Sequence, residues 1–401
     1  MLTIFDQSKQ GVPIKVWLGN EGEIDPECLK QGRSLSKLPF IHRWVALMPD
    51  THPGYGMPIG GVAAMIDTLV PNAVGVDIGC GMIFNNTNIP VDQVTDQVAR
   101  RLVKAIMQAI PVGFKHRTTA LDDRRLSQWT EGQEKELKKT YHLYQQLERA
   151  LVQLGTLGGG NHFIELQEDE HGMLCIMIHS GSRHFGHEVA KYYNEKAKRH
   201  CKKNGDKHAI AAQLAYLPAG SQGGVDYIRW MHLAQEFAAQ NRQAMMTLVQ
   251  DILLGEFPNI TFGKEVNAHH NYASLETHYG QEVWVHRKGA IRARSGELGI
   301  IPGAMGANSY IVEGLGNEES FHSCSHGAGR HMSRKEALKA FQKDAVIEDL
   351  ESMGIYIGVP GKSVLVDESR FAYKDIHEVM RHQEDLAKIV RTLKTKLVVK
   401  G

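Results

Sequence analysis

The stretch IGGVAAMIDTLVPNAVGVDIGCGMIFNNTN (59–88) alternates apolar runs with Gly, Pro and Asn. Short apolar runs punctuated in this way read as strands joined by tight turns. Near its middle, GVDIGCG (75–81) places Asp77 and Cys80 three residues apart among Gly75, Gly79 and Gly81. Glycine frees the backbone to fold so that both side chains face one point. A free Cys is most often simply buried, but an Asp beside it at the end of an apolar strand needs a partner. This unit predicts a β-rich core with a polar site at its strand ends.

Working outward, residues 12–20 and 41–48 carry strand-like runs of Val, Ile, Trp and Leu. Helical spacing appears at 92–110 and at 133–154, where Leu137, Tyr141, Tyr144, Leu147 and Leu151 recur in steps of three and four. Residues 161–167 and 173–179 read as strands around a turn at 168–172. A long helical region follows at 186–256, broken near 203–207 and 218–224. Strands return at 281–287 and 309–313. The end is predicted helical at 334–352 and 375–394, with a short strand at 397–400. No repeat or linker divides the chain. The reading is one α+β domain over residues 1–401, with a β-rich core, surrounding helices and a helical insertion at 186–256.

Composition bounds the function. The chain has 401 residues and a formal net charge of +1, so any phosphate binding must come from a local patch. No stretch reads as membrane-spanning. The start, MLTIFDQSKQGVPIKV, lacks the pattern of a signal peptide, which makes the cytoplasm the expected location and no membrane partner expected. The five cysteines are odd in number and form no CxxC pair, which fits a reducing compartment.

Histidine and glycine gather in six segments: MPDTHPGYG (48–56), GVDIGCG, GGGNHFIE (158–165), HSGSRHFGH (179–187), AHHNY (268–272) and SCSHGAGRHMSR (323–334). His162, His179 and the pair His269–His270 fall at strand ends. Any one alone is more often a satisfied core or surface histidine. With Asp77 and Cys80, three of them, one drawn from the His269–His270 pair, make a five-ligand set for one or two divalent ions. His184 and His187 also have ligand spacing, at a helix start. SCSHGAGRHMSR reads as a loop entering a helix, whose free N–H groups suit phosphate. Arg330 and Arg334, four apart, would share a helix face, with Lys335 beside them. His326 would serve there as a nucleophile or as a general acid or base. The competing reading is a helix cap with a solvated basic face. GIIPGAMGANSYIVEGLGNEES (299–320) is Gly-rich and could cradle a nucleotide, although it is no Walker loop.

Taken in order, GVDIGCG, LGGGNHFIE, HSGSR, HHNY, HRKGA, IIPGAMG and CSHGAGR resemble the RtcB family of RNA ligases, from about residue 40 to the terminal VVKG. The resemblance implies a GTP- and Mn²⁺-dependent enzyme. It joins RNA ends bearing a 2′,3′-cyclic phosphate or 3′-phosphate to 5′-hydroxyl ends, in tRNA splicing or RNA repair. It implies His326 as the guanylated nucleophile, oriented by Asp50. Two Mn²⁺ ions would be held by Asp77, Cys80, His162, His179 and His270, with Cys80 bridging. Guanosine nucleotide contacts would come from Asn161, His162, Phe163, Ile164, Glu165, Asn271, Pro302, Gly303, Ala304, Met305, Ser309, His326, Gly327, Ala328, Gly329, Tyr373 and Lys400. Arg183, Lys288, Arg330 and Arg334 would bind RNA phosphates. An archease-type activator is a possible partner within the family, and a monomer is the default. Two positions depart from the family pattern. Ala304 stands where PGSMG has Ser, a missing hydroxyl worth about 1 kcal/mol, and His184 stands where Gly follows HSGSR. Three other readings compete: a two-metal phosphodiesterase without efficient ligation, a non-catalytic RNA-binding protein, and an enzyme that caps 3′-phosphates with GMP.

Overall fold

In the computed structural model, which describes residues 1–5 and 11–401, the GVDIGCG bend feeds directly into strand Gly81–Pro90. That strand lies second in an eight-stranded sheet. The order is Val266–His269, Gly81–Pro90, Met173–Ser180, Phe163–Asp169, Ala387–Lys400, Ser309–Gly314 and Leu298–Ile301, with Tyr356–Gly358 pairing parallel to Ala387–Lys400. A six-stranded sheet runs Leu2–Ile4, Ile14–Val16, Ile41–His52, Ile59–Met65, Gln281–Lys288, Asn271–His278. The fold is mixed α+β, as the sequence predicts.

Register places the site. Met82 lies opposite His179, His179 opposite Phe163, and Gly81 opposite His269. Cys80, His162 and His270 each directly precede or follow a paired residue, so four distant segments bring their ends to one corner. Helices behind the sheet hold that corner. Helix Gln222–Glu256 starts at Ser221, whose side chain accepts from the Gly224 N–H, and it buries Tyr227, Trp230, Ala234, Phe237, Met245 and Val249 at helical spacing. Its Arg242 is fully buried and donates to Gly79 O and Ser180 O at 2.9 Å each and to Asn267 Oδ1 at 2.9 Å. Burial of a charge is costly unless its donors are satisfied, so this guanidinium fixes the bend and two strand ends together.

Several boundaries differ from the sequence reading. The predicted helix at 375–394 is only Ile376–Arg381, and the chain then forms a 14-residue strand, Ala387–Lys400. AKIVRTLKTKLVVK is rich in β-branched residues, and neighbours on both sides pair with it; shifts in register near Thr395 and Ile311 blur its alternation. Strand Asn271–His278 lies outside the strands that the sequence predicts. The region 133–154 divides into Glu134–Lys138 and Tyr141–Ala150, and 334–352 into Arg334–Ala340 and Lys343–Ser352. The long helical region comprises Arg183–Lys203, Lys207–Ala211 and Gln222–Glu256. Among the described residues, no helix is long and apolar enough to cross a membrane.

Candidate active site and metal centre

A neutral imidazole that donates its Nδ1–H to a carbonyl turns its Nε2 lone pair outward. His162 Nδ1 lies 2.9 Å from Leu157 O, and His179 Nδ1 lies 3.1 Å from Asn161 O. Their Nε2 atoms approach Cys80 Sγ to 3.4 and 3.3 Å. His270 Nε2 lies 3.4 Å from His179 Nε2, and Asp77 Oδ2 lies 3.2 Å from His162 Nε2. Cys80, His162 and His179 thus form a buried cluster whose ligand atoms lie within 4.8 Å of one another, joined by His270 through His179 and by half-buried Asp77 through His162. The single thiol proton can serve only one of these imidazoles, and a cation between the groups would satisfy the remaining lone pairs. Ligand bonds of about 2.0–2.1 Å give tetrahedral edges of about 3.3 Å, which matches this spacing. The donor set fits a divalent ion. Burial and the neighbouring Asp77 push the Cys80 thiol well above its ordinary range, so only a bound cation makes it a thiolate near neutrality. Burial, then the surrounding imidazoles, hold His179 and His270 neutral. Gly181 gives Asp77 its room, since a Cβ there would meet the carboxylate oxygens at 2.2 and 2.4 Å.

The residue pattern alone leaves His269 and His270 open, the resemblance implies His270, and the structure separates the two. His269 Nδ1 lies 2.9 Å from Gly79 O and 3.1 Å from Arg242 Nη2, within the scaffold. His270 faces the cluster, and its Nδ1 is buried without a partner among the described residues.

His326 adjoins this centre, its ring centroid 4.8 Å from that of His270. Its Nδ1 lies 2.7 Å from Asp50 Oδ2, and Asp50 is fully buried. Burial pushes the Asp50 carboxyl up, but His326, His52 and Lys374 pull it below the usual range. An ionised Asp50 accepts a hydrogen bond from the Nδ1–H, which keeps the ring proton there and leaves Nε2 as a nucleophilic lone pair. Gly289 (φ 63°) makes space, because a Cβ would lie 2.3 Å from Ile59 Cγ2 and 2.9 Å from His326 Cε1.

A cavity of about 570 Å³ opens over His326, Cys80, His179 and His270. Pro302 to Met305, Glu165, Arg330, Arg334 and Tyr373 also line it.

The family model described as "tRNA-splicing ligase RtcB" matches residues 31–401. The RNA-splicing ligase RtcB of Escherichia coli strain K12 is 39% identical over 98% of this chain and 98% of its own length. The tRNA-splicing ligases RtcB of Pyrobaculum aerophilum and Thermococcus kodakarensis are 33% and 32% identical, over 98% and 93% of this chain and 95% and 91% of theirs. The chain belongs to the RtcB family.

The remaining residues expected from the RtcB resemblance divide by position. Asn161, Phe163, Glu165, Asn271, Lys288, Gly327 to Gly329 and Lys400 line the same cavity. Ser309 is buried behind the 302–305 wall, where its Oγ accepts from the Gly303 N–H at 3.1 Å. The Ile164 side chain packs into the core away from the cavity. Arg183 lies behind the Asp77 bend, donating to Thr156 Oγ1 at 3.2 Å and Gly113 O at 3.0 Å. Lys288 Nζ donates to Tyr55 O and Met57 O, and burial lowers it to about 7. Asn271 donates to Asp77 O at 3.2 Å and so braces the metal-side bend.

The helix expected to carry Arg330 and Arg334 on one face begins only at Arg334, capped by Ser333 and Glu336. Arg330 lies before it, bridged to Tyr373. That helix N-terminus is already occupied by its own capping box, eight residues beyond His326. What unites the two arginines is Glu368, which sequence reasoning missed. It pairs with Arg330 at 3.3 Å, with Arg334, with Lys400 at 3.2 Å, and accepts from Tyr373 OH at 2.7 Å. Nothing in VDES (366–369) marks it, because its role depends on Arg330, Arg334 and Lys400, all remote in sequence.

Proposed function

We propose that this chain is an RNA ligase that uses GTP and Mn²⁺ to join a 2′,3′-cyclic phosphate or 3′-phosphate RNA end to a 5′-hydroxyl end. The carrying observation is His326, whose Nδ1 is held by buried Asp50 while its ring adjoins the Cys–His cluster. The names of the relatives support the substrate class. Asp77, Cys80, His162, His179 and His270 would hold the Mn²⁺, which when bound offsets phosphate charge at the reacting oxygens.

The residues then act in turn. His326 Nε2 attacks the GTP α-phosphorus, a P–N bond forms, and pyrophosphate leaves. A water opens any cyclic phosphate to a 3′-phosphate. The RNA 3′-phosphate takes GMP from His326, which recovers its lone pair. The 5′-hydroxyl attacks that activated phosphorus, a phosphodiester forms, and GMP leaves. Glu165 recognises guanine: Gln167 and Thr395 both donate to its Oε2, at 2.7 and 2.9 Å, which leaves Oε1 for the base N–H groups. Arg330 and Arg334, freed from Glu368, and Lys288 serve the phosphates, whereas Arg183 is held by Thr156 and Gly113 outside the cavity lining. Residues 1–401 act as one catalytic unit.

The test supplies cyclic-phosphate RNA, 5′-hydroxyl RNA, GTP and Mn²⁺ to wild type and His326→Ala. Joined RNA from wild type alone supports the reading. A capped 3′ end without joining shifts it to GMP capping, and neither product from metal-loaded protein overturns it.

A further inference from the structure

The outer face of helix Arg183–Lys203 carries another group of metal-binding side chains. His184, His187 and Glu188 offer ligand atoms within 4.8 Å of one another. Their spacing puts them on one face of the first helical turns. The two imidazole rings lie nearly parallel, with centroids 6.1 Å apart and planes 20° apart. His187 Nδ1 is 3.5 Å from Glu188 Oε1. A fourth group reaches in from a different helix, Tyr141–Ala150: His142 Nε2 lies 3.2 Å from Glu188 Oε2. The Glu188 side chain is 12% exposed, whereas His142 and His187 are 56% and 53% exposed. A seated carboxylate thus lies among imidazoles that are free to turn toward a common ion. Lys191 Nζ, 3.9 Å from Glu188 Oε1, is the competing cation, and an exposed pair at that length is weak.

We propose that His142, His184, His187 and Glu188 form a second divalent-cation site, of the zinc type, which ties helix Tyr141–Ala150 to the first turns of helix Arg183–Lys203. Three imidazoles and one carboxylate suit a four-coordinate ion, and the absence of a thiolate distinguishes this set from the Cys80 centre. The helix N-terminal dipole disfavours a cation, and the Glu188 charge with three nitrogen donors counters it. Arg183, which precedes His184, spans Thr156 and Gly113 through its guanidinium. An ion on the next residues would therefore steady the turn that presents it. The proposal stands independently of the ligase reading.

The test is cobalt loading of chelator-stripped full-length protein, with metal counted by elemental analysis and spectra recorded. Cobalt on Cys80 gives a thiolate charge-transfer band, whereas cobalt on imidazole and carboxylate gives ligand-field bands only. The His184→Ala/His187→Ala variant is expected to lose one ion per chain with the charge-transfer band unchanged, and to lose part of the metal-induced rise in Tm. His142→Ala, on the other helix, is expected to lose the same ion at limiting cobalt, and it serves if the double variant does not fold. Equal ion counts in variant and wild type overturn the proposal. So does loss of the charge-transfer band together with the missing ion.

Discussion

Asp50 Oδ2 accepts two hydrogen bonds from one residue, the His326 Nδ1–H at 2.7 Å and the His326 backbone N–H at 3.1 Å. The carboxylate therefore fixes both the tautomer of the ring and the loop that carries it. Asp50→Asn would keep the shape but can offer an amide N–H to Nδ1, which moves the ring proton to Nε2 and blocks attack. We expect Asp50→Asn to slow protein guanylation by about 10²–10⁴-fold, the range for loss of a positioned proton-transfer partner. Labelled-GTP adduct formation under single-turnover conditions measures this. A rate within threefold of wild type, roughly 0.7 kcal/mol, would rule out the orienting role.

Gly289 gives a separate handle on the same ring. Its φ of 63° lies in the left-handed region, and an added Cβ would press on Ile59 and His326. Gly289→Ala should cost about 1–2 kcal/mol from the backbone alone, with additional loss from the two contacts. The expected result is a lowered urea midpoint together with a guanylation defect larger than the stability loss explains. A variant as active and as stable as wild type would show that this contact relaxes freely.

How far the sequence reveals this site depends on where its partners come from. Asp77 and Cys80 are legible because both lie in one glycine-rich bend, and His162 and His179 because each borders an apolar run. His269 and His270 are adjacent, so only the pairing of Gly81 with His269 decides which ring turns inward. Arg330 and Arg334 have helical spacing but no shared helix, because Ser333 caps the helix between them. Glu368 carries no local signal, since its meaning lies in Lys400, Tyr373 and two arginines gathered by tertiary folding. The strand Ala387–Lys400 is obscured for a related reason: its register shifts against both edge neighbours blur the alternation that would mark a strand.

Glu368 also sets an acid-stability window. Burial raises its carboxyl, but Lys400, Arg334 and Arg330 outweigh this and hold it at about 2. A folded value below the unfolded one stabilises the native state above the ordinary carboxylate range, and that stability is lost as pH falls toward 2. Wild type should therefore lose urea resistance steadily from about pH 4.5 downward. Glu368→Gln should start lower by about 3 kcal/mol, because it strands a buried Lys400, and should show a shallower acid slope. Parallel slopes in the two proteins would assign the acid loss to other carboxylates.

Glu165 provides the counterpart near neutrality. Burial raises its carboxyl to about 7, against the hydrogen bonds from Thr395 and Gln167 and the Lys400 charge. Guanine presents N–H donors, so the ionised carboxylate is the form that binds it, and ionisation increases as pH rises through this value. GTP affinity should rise by about tenfold from pH 6 to pH 8, following the ionised fraction of one group with that pKa. Glu165→Gln keeps an acceptor but adds a competing donor and removes the titration. It should bind GTP more weakly and with no such dependence on pH, which equilibrium binding at fixed ionic strength resolves. A wild-type affinity that is flat across this range, or one that falls, would mean that Glu165 does not read the base.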